Sequence, residues 1–268
     1  MVQALQPSLV LIFGPFDPTG ASSLPADAVT CAALGCHALG ALTATLVRDS
    51  AGVEDIQPSP PELLDDQARC LLEDMPVKAL KIGPVYTSET VSVIAQIAAD
   101  YSHLPLVLQP GHIPYESLAE DIDAEDAQLA LFELLLPQTD LVVTQGNILA
   151  RWASQGLLPD ASVEQAGDVL FEHGAEWLLA CDQPLRPGQQ GHVLLGAGHQ
   201  AHSWPSEGMP ARVLDTEGPI ACAITAELAA GHAMPVAVER ALQSAQPLRA
   251  RHFQPGMGHL LLDRSQSS

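Results

Sequence analysis

Lysine is nearly missing from this chain. Lys78 and Lys81 are the only two, and 11 Lys and Arg face 32 Asp and Glu, for a net charge of −21. A surface this acidic repels phosphate backbones and anionic lipid, so neither nucleic acid nor a membrane is expected as a partner. The same imbalance suggests a protein kept soluble in concentrated salt. Long apolar runs are missing too. None reaches the length of about 20 residues that crosses a bilayer, and no basic region precedes the first apolar run. A soluble cytoplasmic protein is the expectation. The five cysteines (Cys31, Cys36, Cys70, Cys181, Cys222) are odd in number and lack paired metal-ligand spacing, which reads as free, mostly buried thiols in a reducing compartment. His192, His199 and His202 have no second ligand motif, so no metal site is expected from them. Aromatics make up 4% of the chain, and Trp152 and Trp204 read as packing residues rather than stacking platforms. No internal repeat or low-complexity tract stands out.

What is present is apolar bulk. The 268 residues are 47% hydrophobic, enough for one large core, and a single domain over 1–268 is expected. Short apolar runs at 8–13, 37–47, 77–83, 104–108, 140–144 and 177–180 read as strands. Helical spacing at 24–34, 60–74, 88–99, 125–136, 163–172, from 219 and at 235–244 fills the intervals. Residues 183–206 are rich in Gly, Pro, Gln and His, with an edge strand at 193–195. Alternating strands and helices imply right-handed crossovers and an α/β fold: a mostly parallel central sheet with helices on both faces. Ligands then sit at the carboxyl ends of the strands. The loops at 14–23, 48–52, 83–88, 109–114, 144–147, 181–187 and 215–219 should leave that one edge.

One of these loops organises the rest. Asp215-Thr216-Glu217-Gly218-Pro219 opens a helix of small and apolar residues. Asp215 or Thr216 can cap it, Pro219 suits its first turn, and Gly231 suits its stop. Free N–H groups at such a start can hold an anion, although an ordinary capped core helix would look the same.

Several pieces fall in the order of a known family. Asp17-Pro18-Thr19-Gly20 followed by Leu24 and Ala26-Asp27 resembles "SDPSGGAGxQAD". Leu34-Gly35-Cys36-His37-Ala38 resembles "LGVYG", Leu42-Thr43-Ala44-Thr45 resembles "ITALTAQ", and Lys81-Ile82-Gly83 resembles "KxGM". Residues 168–179 fit the helix and strand before "KGGH", and 223–231 the helix after "GTGC". These are patterns of the hydroxymethylpyrimidine and phosphomethylpyrimidine kinases of thiamine biosynthesis, in the ribokinase-like superfamily. The resemblance implies a ribokinase-like three-layer sandwich, a homodimer, a small pyrimidine ligand, and Mg and ATP where the chain is active. It places Asp17, Ser23, Arg48 and Pro84 on the substrate, Thr144 and Asp182 on the nucleotide side, and Asp215, Glu217 and Gly218 in the catalytic loop.

Departures from the pattern fall on reactive positions. Gly218 stands where the family has its cysteine, and Glu217 puts a carboxylate where the phosphoryl group should sit. At roughly 4 Å and an effective dielectric near 20, that like charge costs about 4 kcal/mol unless Mg²⁺ intervenes. Gln109 aligns with the "DPV" aspartate, Leu149 with the "TPNxxE" glutamate, and Ala180 with the "KGGH" lysine. On the ligand side Arg48 replaces a ring-contacting glutamine, Pro84 a methionine and Ser23 a glycine. Arg48 could grip a carboxylate or phosphate, but a surface arginine paired with Asp49 or Glu54 is the preferred expectation. Glu217 is expected as a solvated loop acid before a replacement base. The leading functional expectation is a weakly active or non-catalytic family member that still binds a small ligand, a pseudoenzyme. The alternatives are an active pyrimidine kinase rebuilt around Glu217 or Asp215, and a scaffold or regulatory partner.

Overall fold

The computed structural model describes residues 6–111, 124–210 and 212–265. Of the loop expected at 109–114, residues 112–114 lie outside the described residues. The first half of the chain runs β1 (Leu9–Phe16), α1 (Ser23–Ala33), β2 (His37–Arg48), β3 (Val53–Pro58), α2 (Pro61–Asp74), β4 (Val77–Ile82), α3 (Ser88–Asp100) and β5 (Leu106–Leu108). It continues through α4 (Ala124–Ala130), β6 (Leu141–Gln145), α5 (Gly146–Ser154), α6 (Val163–Glu172), β7 (Trp177–Arg186), β8 (Gln189–Gly196) and β9 (Ala201–Ser206). The last elements are α7 (Gly218–Ala229), α8 (Met234–Ala250), β10 (His252–Phe253) and β11 (Leu261–Leu262).

β1 to β9 form one nine-stranded sheet in the order β3-β2-β1-β4-β5-β6-β7-β8-β9. Pairing from β2 through β7 is parallel, while β3 at one edge and β8 and β9 at the other are antiparallel. β1 explains why the sheet lies in the middle. Its alternate side chains go to opposite faces: Leu11 and Phe13 join one apolar cluster, and Val10 and Ile12 join another. A strand buried on both sides needs an unbroken apolar run, and 8–13 supplies it. The first cluster also takes residues of α2, α3, α5 and α6; on the opposite face α1, α7 and α8 cover the sheet. The result is the expected α/β arrangement, a mostly parallel sheet with helices on both faces.

Several elements differ from expectation. The strand expected at 193–195 belongs to the longer β8 and is not the edge: β7 runs on to Arg186, turns into β8, and β9 pairs outside it. Gly191 permits this, because a Cβ there would strike the carbonyl of Trp204 on the neighbouring strand. β3, unforeseen, pairs with β2 by register Leu46 to Ile56. The expected loop at 144–147 already contains the start of α5. The helix expected at 125–136 loosens after Ala130 into a π turn over Leu131–Leu135. At α7, Glu217 rather than Asp215 or Thr216 holds the N-cap position, and its side chain makes no capping bond.

Candidate active site

Parallel strands bring their C-terminal ends to one edge, and the loops there enclose a cavity of about 570 Å³. Ser23, Arg48, Pro84, Asp215 and Glu217 all line it, which brings the expected ligand side and catalytic loop together. Asp17, Gly218, Thr144 and Asp182 are not among its lining residues.

Asp17 is fully buried and organises the first loop. Its carboxylate accepts from the Thr19 N–H (2.9 Å) and hydroxyl (2.6 Å) and from the Ser22 N–H (3.1 Å) and hydroxyl (2.9 Å). An aspartate before proline that bonds donors two and five residues on makes a turn rigid. Ser23, next in line, takes φ +58° and opens α1. Arg48 corrects its preferred expectation. It is no surface arginine paired with the carboxylate of Asp49 or Glu54: its side chain is 9% exposed, its Nη1 lies 3.3 Å from Asp17 Oδ2, and its Nε reaches only the Asp49 backbone carbonyl (3.4 Å). The guanidinium therefore forms cavity wall and braces the first loop at once.

The loop before α7 is the most polar part of the site. Asp215 sits in the left-handed region at φ +54°. Its Oδ1 accepts from Gln109 Nε2 (2.9 Å) and its Oδ2 from Arg264 Nη2 (2.8 Å). Burial pushes its carboxyl up to about 7; Arg264 pulls against this, Glu217 and Asp27 reinforce it, and Lys81 opposes it. A Cβ built on Gly218 would fall on the Asp215 carboxylate, so that carboxylate fills the space a side chain at 218 would take. Glu217, expected as a solvated acid, is half-buried and accepts from Gln145 Nε2 at 2.6 Å; the same amide reaches the Thr216 hydroxyl. Burial raises the Glu217 carboxyl as well, against its own backbone N–H, Gln109, Lys81 and Arg249.

Beneath this loop runs a buried charged chain that sequence reasoning missed. Lys81 Nζ lies 2.6 Å from Asp27 Oδ2, and Cys222 Sγ donates to Asp27 Oδ1 at 3.1 Å. Burial works to neutralise the lysine, but Asp27 outweighs it and the ammonium is held more firmly than usual. The available signal was a lysine at the end of an apolar strand and an aspartate inside an apolar helix, where neither charge is tolerated alone. The cysteines divide as Cys31, Cys36, Cys181 and Cys222 buried and Cys70 exposed, all free.

A second cavity, of about 670 Å³, lies on the far side of the loop and is lined by Trp204, Leu242 and Arg249 among others. Arg249 joins the two regions. Its Nε donates to the Thr216 carbonyl at 2.8 Å, and its Nη2 to Asp182 at 2.5 Å. Asp182, at φ +53°, also accepts from the Ser206 hydroxyl. His192 packs against this pair, and burial lowers its pKa to about 4 even though Asp182 opposes the shift. Thr144 is buried, and its hydroxyl has no partner among the described residues.

No cluster of three or more His, Cys, Asp or Glu placed to hold a metal occurs among the described residues. A divalent ion shared with a ligand is a different case. Glu217, with the amide oxygens of Gln109 and Gln145, gives the first cavity hard oxygen donors of the kind Mg²⁺ takes alongside water and phosphate.

The phosphomethylpyrimidine kinase family model matches residues 17–263. A hydroxymethylpyrimidine/phosphomethylpyrimidine kinase of Mycobacterium tuberculosis is 28% identical over 262 residues, covering 92% of this chain and 93% of that protein. The enzyme of the same description from Streptomyces coelicolor is 26% identical over 242 residues, covering 88% and 86%. Among solved structures, the ADP complex of Bacillus subtilis pyridoxal kinase overlays with a TM-score of 0.83 across 97% of this chain and 98% of that one, at 18% identity. A phosphomethylpyrimidine kinase of Clostridium difficile gives 0.69 across 87% and 96%, at 22% identity. The two structural likenesses speak for the fold alone.

Proposed function

The chain belongs to the phosphomethylpyrimidine kinase family, and from that membership we propose that it transfers the γ-phosphoryl group of ATP to the hydroxymethyl oxygen of a pyrimidine in thiamine synthesis, with Asp215 as the base. The named relatives support the reaction class. The observation that carries the residue assignment is the seat of the Asp215 carboxylate, in the space of the missing side chain at Gly218. The family pattern has a cysteine at 218. Here a carboxylate reaches that place from three positions earlier.

In the proposed step the alcohol proton passes to Asp215 as the oxygen attacks the γ-phosphorus. The bond from that phosphorus to the β–γ bridging oxygen breaks, and ADP leaves. A base works best when its pKa lies near the working pH, and burial puts Asp215 at about 7. The free N–H groups opening α7, with Lys81 at the cavity wall, suit the negative charge that develops on the transferred group. Glu217, Gln109 and Gln145 would hold magnesium, which when bound neutralises charge between the phosphates. The second cavity is the proposed seat of the nucleotide, with Arg249 linking it to the catalytic loop.

One observation favours a second reading, a ligand-binding member without turnover. Three basic side chains at the site already have a carboxylate partner: Arg48 with Asp17, Lys81 with Asp27, Arg264 with Asp215. The family-pattern substitutions at Gln109, Leu149 and Ala180 fit it too. The deciding experiment is incubation of hydroxymethylpyrimidine with Mg-ATP, in low and high salt, with products read by mass spectrometry. Phosphorylated product that D215N fails to make supports the kinase. Absence of product from folded protein supports the second reading and sinks the first.

A further inference from the structure

Residues 258–264 lie against the catalytic loop. The segment before Asp215 and the segment after Met257 are laced together: Leu214 N–H donates to the Leu260 carbonyl (3.0 Å), Leu260 N–H to the Arg212 carbonyl (2.8 Å), and Arg212 Nη2 to the Gly258 carbonyl (3.0 Å). His259 N–H donates to the Ser50 carbonyl at 2.7 Å, and the His259 side chain forms one wall of the first cavity. Gly258 presses so closely on Ser50 that a Cβ would strike its carbonyl. Leu261 and Leu262 are buried, which anchors the chain just before Arg264.

Arg264 is 7% exposed and spends its guanidinium on three elements at once. Nη2 lies 2.8 Å from Asp215 Oδ2, Nη1 donates to the Ala21 carbonyl (3.1 Å), and Nε donates to the Thr30 hydroxyl (3.2 Å). Gln109 holds the other Asp215 oxygen at 2.9 Å. Both carboxylate oxygens are therefore fixed, from two directions, by groups that are not themselves free to move. The same grip supports its φ of +54°, a left-handed conformation uncommon outside glycine.

We infer that Arg264 is a positioning residue for Asp215, and that residues 258–264 are a working part of the site rather than a trailing end. The planar fork matters. One edge can grip Oδ2 while the rest of the guanidinium is tied to the first loop and to α1, so the carboxylate is registered against the substrate side of the cavity. The other charged groups facing Asp215 are Glu217 on the same loop, Asp27 on α1 and Lys81 on β4. Arg264 is the one among them bonded to the carboxylate itself. The inference rests on the role proposed for Asp215 in catalysis, but the pairing has a readout of its own.

The test compares wild type, R264Q and R264K. In R264Q kcat should fall about tenfold to a hundredfold, with the pyrimidine KM within about twofold of wild type. R264K, with a point charge in place of the fork, should recover part of kcat. Crystal structures of the variants read the Asp215 carboxylate directly, and in R264Q it should leave its seat beside Gly218. A carboxylate unmoved in R264Q, or a kcat within about twofold of wild type, overturns the inference, whatever happens to thermal stability. Should R264Q fail to fold, R264K decides: a kcat equal to wild type overturns it, and a reduced kcat at unchanged KM supports it. If the wild type phosphorylates nothing, the proposed function has failed, and the structures still decide whether Arg264 holds Asp215.

Discussion

Gly218 and Asp215 share one space. The carboxylate of Asp215 lies where a Cβ on Gly218 would be. Substituting cysteine at 218, the residue of the family pattern, should therefore harm the site rather than restore it. G218C and G218A are expected to lose about 1–3 kcal/mol of stability through overpacking, and any kinase activity with it. The double variant D215G/G218C frees the space but strands the buried Arg264 guanidinium, so the clash should show as non-additivity: the double costs less than the sum of G218C and D215G. Urea unfolding and the phosphorylation assay check both points; a G218C more active than wild type would refute the shared-space account.

Asp215 should also leave a mark on pH dependence. Its folded pKa of about 7 stands above its ordinary 3.8, so the folded state holds more protons than the unfolded state between those values. Stability then falls as pH rises, with the loss complete once pH passes the folded value. D215N should flatten that slope between about pH 4 and 7 and be the more stable protein at pH 8. Catalysis needs the ionised form and runs the other way: kcat/KM should rise with pH on a limb centred near 7. Denaturant melts across pH, beside a rate profile, test both signs. A slope as steep in D215N as in wild type would assign the effect to other groups.

Arg249 connects the second cavity to the catalytic loop through the Thr216 carbonyl. If the nucleotide sits there, R249A should raise the KM for ATP by roughly tenfold to a hundredfold, the worth of a hydrogen bond to a charged group. The KM for the pyrimidine should stay within about twofold. ADP titration by calorimetry gives the same comparison without turnover. An R249A that weakens both ligands equally would place the nucleotide elsewhere.

How much the sequence made legible depends on the range of the forces involved. β1 and the parallel strands could be read because burial on both faces demands an unbroken apolar run. β8 was legible only at 193–195 and β9 not at all, since Gly191, Gln189 and Gln190 look like loop chemistry until the neighbouring strand is in place. The site divides in the same way. The loop at 215–219 was visible from local turn chemistry. Its partners were not: Arg264 comes from 49 positions away, and the Asp27 that holds Lys81 from 54. Arg48 was misjudged for one reason: Asp49 and Glu54 are its nearest acids along the chain, while Asp17 is its partner in space.

The Lys81–Asp27 pair gives the sharpest stability test. Both side chains are at most 2% exposed, and Nζ and Oδ2 are 2.6 Å apart. Removing either partner leaves a charge in the core with nothing to balance it, which costs about 3–5 kcal/mol. D27N and K81M should each fall in that range in urea unfolding. The double variant K81M/D27N carries no charge at this place, and because the two sites are in contact its cost should be far less than the sum of the singles. D27N has a second signature. Its lysine, stripped of the carboxylate, has its pKa driven down by burial, below the ordinary 10.5. The unfolded state then binds more protons than the folded one, so D27N should gain stability as pH rises toward that value while K81M does not. Single variants that cost under about 1 kcal/mol, or a double equal to their sum, would mean that the pair is solvated in solution and that the polarity of the cavity floor comes from the 215–218 loop alone.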